Sequence, residues 1–321
     1  MLDELLDPAI IAALPAGGQI IEVAEHGTSS WSSGHRILVE LDGEEKEYFL
    51  KVGLYGTCVS ASADDSYVKL IYRPRHAEMA LGEYESQKAM WEHIPDNVVV
   101  PLAHGTLQLD DSKSFFLTTF RDFKSKDPSP EELISLLKEL HTRAISPTGK
   151  FGFHVTTFNG YVPLVNDWCD SWEEYFSRQF RSDIEWEQGI RGPDREFNNV
   201  VDEFFQKVIP RLLRPLQTGG RSIKPVLVHG DIWHGNVKID SASQKVILFD
   251  SCCCYAHNEL ELHMMREPRY RFTREHAQLY KKAVDPSEPM EDFDDRNALY
   301  AMRDNIINSG LHEHRAYLRQ Q

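Results

Sequence analysis

The chain has 321 residues, 41% hydrophobic and 11% aromatic, enough for a sizeable core in two domains or two lobes and too apolar for a disordered chain. A formal charge of −15 and a pI near 5.4 argue against a dedicated nucleic-acid binder, which carries a basic face. Five cysteines, three of them consecutive (Cys252–Cys254), make no disulfide framework, so a reducing cytosol is the expected setting.

The chain starts MLDELLDPAI, acidic where a signal peptide needs a basic and then an apolar region, and nowhere do eighteen apolar residues run together. Neither membrane insertion nor export is expected. Ile20–Val23, Arg36–Leu41 and Glu47–Val52 read as strands, with a hairpin signal at Asp42-Gly43 inside a linker that looks longer than a two-residue turn. Gly53 to Arg75 is weakly patterned and reads as a long loop. Ala77 to His93 carries Ala80, Tyr84 and Trp91 at helical spacing, and Val98–Pro101 and Ser114–Phe120 are further strand candidates.

Beyond Lys126–Pro130, a linker between lobes, the pattern turns helical. Ser129-Pro130-Glu131-Glu132 offers an N-cap, a proline at the first helical position and a capping-box glutamate, followed by a stripe of Leu133, Leu136, Leu137 and Leu140. Trp172–Gln188 and Phe197–Leu213 also read as helices, with a loop at Gly189–Pro193. One β-rich insert interrupts them: short strands at Val226–Val228, Val237–Ile239 and Val246–Phe249, with acidic residues at their ends.

That insert carries the chemistry. His229-Gly230-Asp231 leads to Asn236 five positions after Asp231, and Asp250 follows Asp231 by nineteen. This is the spacing of a kinase catalytic loop: a carboxylate to orient and deprotonate an acceptor hydroxyl, then oxygen ligands for a hard cation such as Mg²⁺. Upstream, Lys51 sits in an apolar strand, where an ammonium needs phosphate or carboxylate, and Glu78, Glu83 and Glu85 are candidate partners for it. Gly27-Thr28-Ser29-Ser30 lies between two strands, where backbone N–H groups can cover phosphates. Each feature alone has a mundane reading, a snorkelling lysine or a simple turn. Their joint order carries the argument. Zinc at Cys252–Cys254 and His257 is disfavoured, because three adjacent cysteines do not readily face one ion; no G-x-S-x-G elbow supports a serine hydrolase.

At these residues the chain resembles the fructosamine kinase family, small-molecule kinases with the aminoglycoside-phosphotransferase variant of the protein-kinase fold. HGDIWHGN at His229–Asn236 is similar to the family's HGDLWxGN. KFGFHVTTFNGYVPLVNDW at Lys150–Trp168 is similar to a family stretch that generic kinases lack, and FDSCCCYAHNELEL at Phe249–Leu262 to FDPAxxYGHxExEL. The resemblance implies an α+β, two-lobed protein-kinase-like fold, with a β-rich N-lobe over residues 1–121 and a mostly helical C-lobe over 122–321. It implies Asp231 as general base, Asn236 and Asp250 as Mg²⁺ ligands, and Lys51 paired with Glu83 and the phosphates of ATP. Gly27, Thr28 and Ser29 would cover those phosphates, and Thr118, Thr119 and Phe120 would form a hinge whose backbone meets adenine. On the acceptor side it implies Trp233, as a platform for a sugar, with His229, Asn166, Asp167, His257 and Glu259. The expected reaction is phosphorylation of a ketosamine at its 3-hydroxyl. The alternatives are a kinase for another small hydroxyl acceptor, such as an aminoglycoside or amino alcohol, and a silent nucleotide-binding module. Four departures stand out: Ser251 replaces the family's proline, Ala256 replaces its glycine, the phosphate-loop GGGTS is reduced to His26-Gly27-Thr28-Ser29, and the sequence after Leu262 parts from better-known members.

Overall fold

The computed structural model describes residues 7–28, 32–53 and 75–320. Residues 54–74 of the expected long loop, and Ser29 and Ser30 of the expected phosphate loop, lie outside them. A short helix α1 (Pro8–Ala13) leads into strands β1 (Gln19–Thr28), β2 (Ser32–Leu41) and β3 (Glu44–Gly53). Helix α2 (His76–His93), β4 (Pro101–Thr106) and β5 (Ser114–Thr119) complete an antiparallel sheet of order β1-β2-β3-β5-β4. The β2–β3 hairpin is tighter than its sequence suggests. Leu41 pairs with Glu44, and Asp42 and Gly43 both adopt positive φ (54° and 80°), as a two-residue type I′ turn requires. β4 begins where a strand was expected to end: Val98 instead pairs with Leu248, a contact between the sheet region and the rest of the chain.

Strand alternation sets up the site. Leu50 and Val52 of β3 are buried in a core shared with Ile10 and Leu14 of the α1 segment, so Lys51 projects from the opposite face, toward α2. From residue 130 the chain is mostly helical. Helix α3 (Pro130–Arg143) starts on the expected capping box, Ser129 with Glu132, and buries its leucine stripe. Each such leucine contributes about 1.5–3 kcal/mol by leaving water. The short strands β6 (Phe158–Asn159) and β7 (Val162–Pro163) precede α4 (Trp172–Arg191) and α5 (Arg195–Leu213).

Next come β8 (Val226–Val228), β9 (Val237–Ile239), β10 (Val246–Leu248) and β11 (Cys254–Ala256), then a 3-10 stretch Asn258–Arg266, α6 (Arg274–Ala283) and α7 (Phe293–Leu311). β9 pairs with β10 and β8 with β11, all antiparallel. A second, larger core gathers α3, α4, α5, α7 and the short strands around Trp172 and Tyr300.

Candidate active site

Lys51 is held between two carboxylates from different parts of the chain. Its Nζ donates to Glu83 Oε2 at 2.8 Å and Oε1 at 3.0 Å, and to Asp250 Oδ1 at 2.6 Å. Of the three candidate partners on α2, Glu83 is the one that meets it. Burial opposes the lysine's charge, but the Asp250 and Glu83 carboxylates outweigh that and hold its proton more tightly than usual. Burial, with Asp250's charge nearby, pushes the Glu83 carboxyl up to about 7 against the pull of Lys51. Burial would also raise Asp250, yet Lys51 overrides it and keeps that group ionised below the ordinary range. The Asp250 side chain is 50% exposed against 18% for Glu83, so Asp250 is the member of the triad most open to solvent.

Helix α2 is brought there by close backbone approach. A Cβ on Gly82 would stand 2.5 Å from the Thr156 carbonyl oxygen, so only glycine lets α2 settle on the 151–165 segment beside Glu83. Ser86 accepts the Cys253 amide at 3.0 Å, and the Gln87 amide donates to the Leu248 and Val99 carbonyls at 3.1 and 3.3 Å. Ser251, in the proline position of the family pattern, donates its hydroxyl to Gln87 Oε1 at 3.3 Å.

The loop after β8 carries the second group. Asn236 Nδ2 donates to Asp231 Oδ2 at 2.7 Å and to the Asp231 carbonyl at 3.1 Å, and approaches the Asp250 carbonyl at 3.4 Å. Asp231, Asn236 and Asp250 therefore converge. With Nδ2 so committed, the Asn236 oxygen is the atom able to coordinate. Asp250 itself takes φ +58°, an unusual backbone for a residue with a Cβ and a common feature of functional sites. Burial raises Asp231 well above a normal carboxyl, the charges of Asp250 and Asp304 add to this, and hydrogen bonds from Asn236 and Trp233 oppose it. A carboxylate tuned upward is suited to accept a proton near neutral pH. Trp233 is half-buried, with its ring packed over Gly235 and 6.1 Å from Tyr270.

Among the described residues no three His, Cys, Asp or Glu side chains form a metal cage. One carboxylate and one amide oxygen fit Mg²⁺, which keeps few protein ligands and completes its shell with water and substrate phosphates. The donor set fits a nucleotide-borne hard cation and not zinc.

Several expected site residues serve other ends. His229 is wholly buried: its Nδ1 accepts the Asp231 amide at 3.2 Å and its Nε2 donates to the Phe249 carbonyl at 3.0 Å. It braces the loop and does not face an acceptor. His257 is also fully buried, between the Tyr300 and Ser287 hydroxyls (both 2.9 Å), and burial lowers it to about 4. Glu259 forms a buried two-point pair with Arg296 (2.7 and 2.9 Å). Asn166 bonds Val155, Thr157 and Tyr175 internally, whereas Asp167 is exposed. Gly27 and Thr28 are the exposed end of β1, at a register irregularity, with Gly27 at φ +91°. Thr118 is buried in β5, and the amides of Thr119 and Phe120 already donate to the Val100 and Glu47 carbonyls, both at 3.1 Å. Those two amides therefore cannot be the adenine donors. The described cysteines are buried free thiols; burial pushes Cys254 up to about 11.

One positioning residue escaped the sequence reading. Glu261, fully buried, accepts the His229 amide at 2.7 Å and the Gly230 amide at 3.0 Å, and lies 3.4 Å from His141 Nε2. The two acidic residues of ELEL were visible, but which backbone each would meet was not.

A sequence profile described as "Fructosamine kinase" matches residues 40–313. A protein-ribulosamine 3-kinase, chloroplastic, from Oryza sativa subsp. japonica is 31% identical over 207 residues, 64% of this chain and 57% of that protein. A ketosamine-3-kinase from Mus musculus is 40% identical over 114 residues, 35% of this chain and 34% of that protein. The matched stretches thus span about half of the plant relative and a third of the mouse one. Among solved structures, a putative fructosamine-3-kinase from Thermobifida fusca superposes with a TM-score of 0.67 at 18% identity, covering 95% of this chain and 93% of that one. A thermostable aminoglycoside phosphotransferase, solved as a ternary complex with AMP-PNP and hygromycin B, gives 0.63 at 12%, covering 98% and 96%. The α+β fold, a five-stranded antiparallel sheet followed by a mostly helical region, is thus protein-kinase-like, and by the span of the profile match the chain belongs to the fructosamine kinase family.

Proposed function

We propose that this chain transfers the γ-phosphoryl group of ATP to the 3-hydroxyl of a ketosamine, a ribulosamine or fructosamine adduct on an amine or a protein lysine. One observation carries the reading: Lys51 bridges Glu83 and Asp250 while Asp231 and Asn236 meet beside Asp250. We place the lobe boundary between residues 121 and 122, which puts Lys51 and Glu83 on one side of a cleft and the other three on the far side.

In this scheme Asp231 orients the acceptor hydroxyl and takes its proton as the oxygen attacks the γ-phosphorus and the bond to the departing ADP oxygen breaks. Glu83 holds Lys51 for the non-transferred phosphates, and Asn236 and Asp250 offer the oxygens that would hold Mg²⁺. That ion, when bound, would neutralise phosphate charge. Trp233 covers the C–H face of the sugar, and Gly27 and Thr28, with Ser29, border the phosphates. The adduct nitrogen is a protonatable amine, compatible with an acidic protein, although charges beyond roughly 8 Å contribute little through salt.

The names of the rice and mouse relatives support a ketosamine acceptor, and so does the Lys150–Trp168 stretch. The aminoglycoside-phosphotransferase likeness supports the fold and a nucleotide, and leaves other hydroxyl acceptors as the second reading. A silent module has no chemical reason to keep Lys51, Asp231, Asn236 and Asp250 together. No described helix is long and apolar enough to cross a membrane.

The test is ATP turnover against ribosylated, glucosylated and unmodified amines, beside an aminoglycoside. Turnover confined to the glycated amines is expected. Turnover of the aminoglycoside alone, or of none, would overturn the assignment.

A further inference from the structure

Trp233, two residues after Asp231, is held by two neighbours. Its ring lies so close over Gly235 that a Cβ there would stand 2.4 Å from it, and the Tyr270 ring meets it at 6.1 Å, tilted by 58°. Tyr270 ends a 3-10 turn, Pro268–Tyr270, in the stretch beyond Leu262 that parts from better-known relatives. No motif pointed to it. Of the two rings Trp233 is half-buried and Tyr270 buried, so Trp233 is the one able to meet a ligand and Tyr270 stands behind it.

Tyr270 is itself fixed from three directions. Its carbonyl accepts from His234 Nδ1 at 3.0 Å, which ties the turn to the residue following Trp233. Its hydroxyl donates to Asp304 Oδ2 and accepts from Asn308 Nδ2, both at 3.1 Å and both from α7. The Arg269 guanidinium lies 4.7 Å from the ring centre, with Nη2 on the same Asp304 oxygen at 3.1 Å and Nη1 on Glu267 at 2.8 Å. The other oxygen of the buried Asp304 takes Asn308 Nδ2 at 3.0 Å. A connected network of this kind holds the Tyr270 ring in one place. At its separation from Trp233, tilted aromatic rings attract and fix each other's orientation.

We propose that Tyr270 is a positioning residue: it sets the Trp233 indole at the angle that receives the acceptor's sugar. The turn beyond Leu262 thus governs acceptor affinity without touching the acceptor. The inference rests on the placement of Trp233 in the proposed function. A purely structural Tyr270 would change stability and leave the acceptor KM where it is.

The test is a double-mutant cycle on the acceptor KM at saturating MgATP, with the KM for ATP measured beside it. The enzymes are the wild type, Tyr270→Leu, which removes the ring, Tyr270→Phe, which keeps it and loses the Asp304 bond, Trp233→Ala, and each Tyr270 variant combined with Trp233→Ala. Thermal melts check folding. Tyr270→Leu is expected to raise the acceptor KM roughly three- to tenfold, the worth of one aromatic pair, and Tyr270→Phe about two- to threefold. The KM for ATP stays unchanged, and neither variant adds a rise on the Trp233→Ala background. An unchanged acceptor KM in the folded Leu variant, an equal rise in both KM values, or a rise that persists in full without Trp233 overturns the inference alone. If the Leu variant does not fold, the Phe variant decides by the same criteria. An unchanged acceptor KM in Trp233→Ala overturns the placement of Trp233 and this inference with it. A wild type that phosphorylates an aminoglycoside and no glycated amine overturns the ketosamine reading alone, and the cycle is then run on that acceptor. A wild type that turns over neither overturns both.

Discussion

Replacing Glu261 with glutamine isolates what holds the loop carrying Asp231 in place. The carboxylate accepts two backbone amides, His229 at 2.7 Å and Gly230 at 3.0 Å, from full burial. Glutamine is nearly isosteric, but it offers a single oxygen. One amide therefore meets an NH₂ group, and the other exchanges a charged acceptor for a neutral one. Losing one charge-assisted bond and weakening a second amounts to about 2–4 kcal/mol. In a chain of this size that lowers the melting temperature by about 3–6 °C.

The pH dependence follows from the direction of the shift. Burial raises Glu261, but His141, His229 and the Gly230 amide more than compensate, so its folded pKa lies below the ordinary 4.5. A depressed carboxyl stabilises the fold above its unfolded pKa, and that contribution vanishes as pH falls through the folded value. The gap between wild type and variant is thus full at pH 7 and narrows below about pH 4.5. Because Gly230 precedes Asp231, turnover also drops, by up to about a hundredfold for an ångström of misplacement. Calorimetric melts from pH 7 to pH 4, with turnover at pH 7, supply the readings. Equal melting temperatures and equal kcat at neutral pH would refute the clamp.

Asp231→Asn is expected to cut turnover by about 10²–10⁴-fold while leaving calorimetric MgATP binding nearly intact; wild-type rates would remove Asp231 as the base. Since burial and the Asp250 and Asp304 charges raise Asp231, and only its ionised form accepts a proton, the acidic limb of kcat/KM lies above the usual carboxyl range. A half-maximal point at or below pH 3.8 contradicts this. Asp250→Ala abolishes the Mg²⁺-dependent part of nucleotide affinity, and an unchanged isotherm with the metal present would count against the assignment. Trp233→Ala raises the acceptor KM more than the ATP KM; equal rises would make it a packing residue.

The legible parts were those whose chemistry is local. Ser129 with Glu132 announces a helix start, and the Asp231–Asn236–Asp250 interval a loop and hairpin, because each signal depends on neighbours within about twenty positions. Helix α7 gave no such signal. Thirteen of its nineteen residues are buried, among them Arg296, Asn297, Asp304, Asn305 and Asn308, so no apolar stripe marks its face. Its polar groups are matched by partners elsewhere: Arg296 by Glu259, Asn297 by the Leu262 carbonyl, Asp304 by Tyr270 and Arg269. β11 was missed for a related reason, since a run of cysteines carries no alternation.

Those distant partners explain why His257 and Glu259 read as acceptor residues in sequence and are architectural in three dimensions. A buried ion pair and a buried imidazole between two hydroxyls fix the Asn258–Arg266 stretch, and that stretch delivers Glu261 to the loop carrying Asp231. Motif residues of this kind act at a remove, through backbone they immobilise. Ser251 makes the same point from the other side. Its hydroxyl bonds Gln87, whose amide ties α2 to the Leu248 carbonyl, so the departure from proline leaves Glu83 and Asp250 facing each other across Lys51. The triad therefore depends on how α2 is anchored, and a substitution that preserves the anchor preserves the site.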